Sequence, residues 1–207
     1  METKLSCGDC HVAACEQNGK PYPKFCMTTS LDPALLEESL RCYEENEEDG
    51  RVARIAAEVE REGYRQWPRV KEALEFASRL GAKRIGVATC VGLLPETRIL
   101  TKLLRAHHFE VVVAGCKTGA TPKSRLGLDY QEDGPVGPIA CNPILQAKIL
   151  NDAKTDLNLV MGLCVGHDSL FYKYAQALTT TLVTKDRVMG HNPVAALYTA
   201  GTYYDDL

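Results

Sequence analysis

The sequence predicts an α/β protein, a small doubly wound parallel sheet of about four strands preceded by a helical segment and a cysteine-rich N-terminal segment. Two patterns carry that expectation. From Lys83 onward, short apolar runs rich in β-branched residues alternate with stretches of helical periodicity. Strands that alternate with helices imply crossovers and a parallel sheet covered on both faces. Ahead of them stand Cys7, Cys10, Cys15 and Cys26, which no ordinary helix or strand calls for.

Residues 1–30 form the first expected region. The four cysteines are spaced C-x2-C-x4-C-x10-C, among Gly8, Gly19, Pro21 and Pro23, which interrupt regular structure. So little apolar bulk cannot fold alone, and bound metal would supply the missing stability. Residues 31–82 read as helices. Asp32 offers a side-chain cap and Pro33 is preset for a first turn. Leu36, Leu40 and Tyr43 follow at helical spacing. Gly50 then breaks the pattern, and Val52, Ile55, Ala56 and Val59 mark a second helix. A third runs from roughly Pro68 to Leu80 and stops at Gly81. Cys42, inside the apolar stripe of the first helix, reads as structural.

Residues 83–207 form the expected Rossmann-like domain. Its strands are "RIGVAT", "EVVVAG", "LNLVMGL" and "TTLVT". The helices between them are "LPETRILTKLLRAHH", "PILQAKILNDAK" and "DSLFYKYAQ", and a loop rich in glycine and proline covers residues 117–140. Asn192 and Pro193 open one more helix near the end.

Composition narrows the function. Apolar residues at 45% and charged residues at 25% are globular values, which argues against disorder. A net charge of −3 gives no reason to expect nucleic acid or an anionic membrane as partner. The N-terminus carries no secretory h-region and no apolar run is long enough to span a bilayer, so the expected location is cytoplasmic. In that reducing compartment nine cysteines point to metal or redox chemistry rather than disulfides. There is no G-x-G-x-x-G after the first strand, no P-loop and no nucleophile elbow, so nicotinamide, nucleotide and serine-hydrolase readings lack support.

The remaining cysteines fall in a pattern. Cys90, Cys116 and Cys164 each follow a strand directly, and Cys141 stands where a helix begins. In a parallel sheet these positions share the carboxyl edge, where open α/β sheets bind ligands. Helix N-termini there stabilise thiolates. Gly92, Gly115, Gly119 and Gly166 allow backbone to approach a bulky group. His167, next to the helix-capping candidate Asp168, and His191 are candidate catalytic or ligating residues; Lys117 and Lys185 could hold an anion. His107 and His108 lie at the opposite edge and read as structural, and His11 reads as solvent-facing.

The N-terminal spacing suits a 4Fe-4S cluster, because a second close cysteine pair, usual in zinc knuckles, is missing. Cys90, Cys116, Cys141 and Cys164 would hold a second iron–sulfur or other metal centre. Zinc at a structural four-cysteine site, stapling a small-ligand-binding or metal-handling domain, is the alternative. The "CGDCHVAAC" segment resembles the cluster segment of carbon monoxide dehydrogenases, with the same spacing of the first three cysteines and a shorter last gap. Along nearly its whole length, through "CNPILQAKILN", "LNLVMGLCVGHDSLF" and "KDRVMGHNPVAALY", the chain resembles a prokaryotic family of unknown function labelled as metal-binding proteins. That resemblance implies bacterial or archaeal origin and metal binding without supplying a reaction. The expectation is an iron–sulfur protein with an electron-transfer partner or a small-molecule substrate. Whether it is an enzyme, and whether it forms a homo-oligomer, the sequence leaves open.

Overall fold

The computed structural model describes residues 4–17, 19–128 and 136–204; residues 129–135 of the expected loop and the last three residues of the tail lie outside them. The chain divides into two compact units, Met1–Glu58 and Val59–Leu207. The division falls within a helix.

In the first unit, the loop carrying Cys7, Cys10 and Cys15 is followed by α1 (Met27–Ser30) and α2 (Pro33–Glu45). Asp32 caps α2 by accepting the Ala34 N–H at 2.9 Å, as the Asp-Pro pair predicts. The break between α2 and α3 (Glu47–Gly63) lies at Asn46 rather than at Gly50. Asn46 Oδ1 accepts the Glu48 and Asp49 N–H groups at 3.0 and 3.3 Å, and three acids in the first turn suit the positive helix end. Gly50 sits inside α3 for another reason: a Cβ there would lie 2.3 Å from the Tyr43 carbonyl oxygen. It is a close-approach glycine, and sequence alone does not separate that role from a breaker. Cys42, expected to be structural, is exposed on α2, with its thiol 3.5 Å from the Glu38 carbonyl.

The second unit is the expected α/β domain. After α4 (Arg69–Arg79) come β1 (Arg84–Thr89), α5 (Leu94–Ala106), β2 (Glu110–Gly115), α6 (Pro143–Asp152), β3 (Leu157–Met161), α7 (His167–Tyr174), β4 (Leu178–Val183) and α8 (Val194–Tyr198). All strands are parallel, in the order β2-β1-β3-β4. The chain moves outward from β1 to β2 and, on the other side, from β3 to β4. The boundary between β1 and β3 is therefore the switch point, where such sheets open a crevice.

Side-chain alternation assigns the two faces. Ile85 and Val87, with Leu157, Leu159 and Met161, pack beneath Leu74 and Ala77 of α4 and Leu100 and Leu104 of α5. On the other face Ala88, Cys90, Ala114, Cys116 and Val160 meet Ala147 and Leu150 of α6 and Phe171 of α7. That second face is built from small residues, which lets α6 lie close to the sheet. Gly86 is its tightest point, because a Cβ there would come 2.2 Å from Asn158 Oδ1 and 2.9 Å from Leu150 Cδ1. At the amino edge, the Asp156 carboxylate accepts the Lys83 and Arg84 N–H groups, both at 2.7 Å, and ties the start of β3 to the start of β1. Among the described residues no helix is long and apolar enough to cross a membrane.

The packing predicts a contrast between two glycines. Gly86→Ala should lower stability by about 1–3 kcal/mol, the usual cost of overpacking a core. Gly137→Ala, where an added Cβ meets nothing within 4 Å, should leave the denaturation midpoint unchanged. Equal midpoints for both variants would contradict the close approach of α6.

Candidate functional site

The carboxyl ends of the strands are held in register by bonds that continue past the strands themselves. Cys90 donates its N–H to the Met161 carbonyl at 3.2 Å, and Cys116 donates to the Thr89 carbonyl at 2.9 Å. Asn142 donates to the Cys116 carbonyl at 2.8 Å, then caps α6 by accepting the Leu145 N–H at 2.9 Å. Gln146, fully buried in the next turn, sends Nε2 to the Thr89 carbonyl at 3.1 Å and to the Ala114 carbonyl at 2.7 Å. One amide thus clamps the ends of β1 and β2, immediately before Cys90 and Cys116.

A cavity of about 780 Å³ opens at this edge, and Cys90, Cys116, Cys141 and Cys164 all line it. Cys90 and Cys116 are buried, at 8% and 3% exposure, while Cys141 and Cys164 are half-buried. The register that ends with Thr89 beside Gly115 makes Cys90 and Cys116 the next cross-strand neighbours, and their thiols share a hydrogen bond. That bond from Cys116 holds the Cys90 thiol well below its ordinary pKa, with the Gly92 N–H and the Lys185 ammonium adding to the effect against the cost of burial. Cys116 is pushed the other way, first by the same bond and then by burial, although the Val91 N–H reaches its sulfur at 3.4 Å. Cys90 is the thiolate of the pair and Cys116 its donor.

The segment after β4 supplies part of the wall with Lys185, Asp186, Arg187, Gly190 and His191. Arg187 Nη2 donates to Cys164 Sγ at 2.9 Å, and its guanidinium is held charged first by that contact. His191 has a left-handed backbone, φ +67°, stabilised by its N–H on the Asp186 carbonyl at 2.9 Å. In return the Asp186 N–H donates to His191 Nδ1 at 3.1 Å. A ring nitrogen that accepts carries no proton, so the neutral imidazole bears its hydrogen on Nε2. Asp186 Oδ1 accepts from Val188 and Met189 at 2.8 and 2.7 Å, and these N–H bonds, Met189 first, hold its carboxyl below the usual range. Lys117, also on the wall, donates its ammonium to the Ile139 carbonyl and so tethers the loop above the cavity.

Of the other candidates, Gly92 lines the cavity; Gly115, Gly119, Gly166 and His167 do not. Gly119 has φ +85° and an added Cβ would meet Leu145 Cδ2 at 2.7 Å, so it serves the loop-to-α6 contact. Gly166 has φ +82° and precedes α7, whose first turn holds half-buried His167 and Asp168; the Asp168 carboxylate accepts the Ser169 N–H. His107 lies at the C-terminal end of α5, its Nδ1 2.9 Å from the Leu103 carbonyl oxygen. Arg187 is a residue the sequence reading missed. Its only signal was its position two residues after Lys185, just past the fourth strand.

In the first unit Cys7 and Cys15 are exposed and Cys10 and Cys26 half-buried, all as free thiols. The Cys26 thiol is held below its ordinary pKa, first by the Thr28 hydroxyl and then by the N–H groups of Thr28 and Thr29. Free thiols with N–H donors directed at sulfur, at Cys116 and Cys164 in the cavity and at Cys26 in the first unit, fit a thiolate-ligated group. Among the described residues, however, no three Cys, His, Asp or Glu side chains are gathered at ligating distance.

Two outcomes follow from this geometry. In metal-free protein at about pH 6, Cys90 should be alkylated roughly tenfold or more faster than Cys116, because its lowered pKa keeps it a thiolate until the pH falls through that value. Peptide mapping that finds Cys116 labelled first would reverse the assignment. Gln146→Leu should cost about 1 kcal/mol in denaturation, since the Ala114 and Thr89 carbonyls lose the amide while Thr89 keeps the Cys116 N–H.

Comparison with known proteins places the chain in a group. The profile of a family described as "Protein of unknown function (DUF1847)" matches residues 26–182. The uncharacterized protein MJ0455 of Methanocaldococcus jannaschii is 38% identical over 195 residues, covering 94% of each chain. Neither description names a metal, a cofactor or a reaction.

Proposed function

The chain belongs to the DUF1847 family of proteins of unknown function, and we propose that it works as an iron–sulfur protein whose functional centre is the thiol-lined cavity. In this reading Cys90, Cys116, Cys141 and Cys164 hold one metal–sulfur group, and Cys7, Cys10, Cys15 and Cys26 hold a 4Fe-4S cluster that exchanges electrons. The observation that carries it is that four thiols from three strand-to-helix connections line one cavity, Cys116 and Cys141 standing at the two ends of one of them. Scattered core cysteines have no reason to meet there. Bound groups of this kind supply one-electron transfer.

The chain's own residues have definite tasks. Lys185 and Arg187 offset the negative charge that thiolates accumulate at the cavity. The N–H groups of Val91 and Gly92 and the Arg187 guanidinium donate to sulfur, which stabilises the more reduced, more negative state. The cavity leaves room for a small molecule beside the thiols, so the matching activity is redox chemistry on a small substrate.

The Cys90–Cys116 contact favours a second reading, in which the two thiols cycle to a disulfide as a two-electron couple without metal. Purification without oxygen, followed by a visible spectrum and assay of iron, zinc and acid-labile sulfide, separates the readings. A brown protein with about eight irons per chain supports two cubanes, and Cys90→Ser should then remove roughly half the colour. A colourless chain with one zinc sinks the iron–sulfur reading in favour of a zinc-stapled binding domain. A colourless, zinc-free chain that loses two thiols on oxidation, but none as Cys116→Ser, identifies the disulfide couple. In the loaded protein Arg187→Ala should lower the midpoint potential, because a donor to sulfur is lost; an unchanged potential would remove Arg187 from the site's electrostatics.

A further inference from the structure

The part of the cavity wall that follows β4, beside the thiols, has a chemistry of its own. Lys185, Arg187 and His191 come from one short segment, and each presents donors. Lysine and arginine have no acceptor, and His191, with Nδ1 engaged by the Asp186 N–H, offers only Nε2–H. The one carboxylate among the described lining residues, Asp186, is turned back on the Val188 and Met189 N–H groups. The strained His191 backbone is held by two reciprocal bonds to Asp186, so the segment is a fixed support, not a loose loop.

Apart from the cysteines and Lys117, whose ammonium is spent on the Ile139 carbonyl, the rest of the lining is apolar side chain or glycine. Val91 comes from the turn after β1, and Val136 and Ile139 from the tethered loop. The volume, about 780 Å³, lies in the range of pockets for organic ligands and is far more than a bare inorganic ion needs. A lining that offers both cationic donors and hydrocarbon suits a ligand that carries charge and carbon together.

We propose that this cavity binds a small organic carboxylate, its charge on Lys185, Arg187 and His191 and its carbon chain against Val91, Val136 and Ile139. The proposal rests on the cavity being the functional site, and does not require that the thiols carry metal. The carboxylate would be the substrate, or the fixed end of a substrate, brought beside the cysteine wall.

The test is a titration of the full chain, as isolated, with acetate, butyrate and hexanoate, with 1-hexanol as the uncharged match and inorganic phosphate as the chainless one. Affinity should rise with chain length, and hexanoate should bind about tenfold or more tighter than hexanol or phosphate. Lys185→Gln and Arg187→Gln should each weaken hexanoate about tenfold and leave hexanol unchanged. Melting curves for both variants confirm that they fold, and their metal content is measured alongside. Hexanol binding as tightly as hexanoate, phosphate matching it, or no saturable binding would each overturn the proposal. So would variants that lose metal and carboxylate together, since the cations would then belong to the metal group. Carboxylate binding in a chain with no metal would uphold the proposal while the iron–sulfur reading fails.

Discussion

The site depends on a single buried amide. Gln146 Nε2 bonds two carbonyls on neighbouring strands, Thr89 and Ala114, at the point where the β1–β2 ladder ends. Each of those carbonyls lies just ahead of a cysteine-bearing turn, so the separation of Cys90 from Cys116 is set by the span of one side chain. Its donors are both used, while its Oε1 is buried without a hydrogen-bond partner among the described residues. An apolar residue of similar size would fill the space and leave the strand ends tied by backbone bonds such as that from the Cys116 N–H to the Thr89 carbonyl, without the side-chain clamp. The polar choice at a fully buried position favours geometry over stability.

The small-residue face of the sheet serves the same end. Gly86, Ala88 and Ala114 let α6 sit close enough for Gln146 to reach across. The larger residues, Ile85, Val87, Leu157 and Leu159, are on the other face and supply most of the apolar burial. One face therefore stabilises the domain and the other positions chemistry, a division of labour made possible by the period of two along each strand.

The parallel sheet was legible because its strands are short, β-branched and punctuated by turns, and each alternates with a helical pattern. The convergence of Cys90, Cys116, Cys141 and Cys164 could be reasoned from topology alone, since every strand end in such a sheet shares an edge. What topology does not encode is side-chain direction. Arg187 on Cys164, the Nδ1 acceptor role of His191 and the turn of Lys117 away to a carbonyl depend on rotamers and on backbone twists such as the +67° φ of His191. Gly50 shows the converse failure. A glycine that breaks a helix and one that admits a neighbour's carbonyl look the same in sequence, and only the position of Tyr43 tells them apart.

The way the loop above the cavity is fastened bears on how the family can diversify. Lys123 N–H meets the Pro138 carbonyl, Ala140 N–H meets Thr121, and Lys117 holds Ile139, so the two limbs are stitched together before the chain reaches Cys141. These stitches fix the limbs that bring Val136 and Ile139 to the cavity wall. Substitution at Val136 or Ile139 can therefore change what is admitted, while the backbone bonds of the thiol floor beneath stay in register.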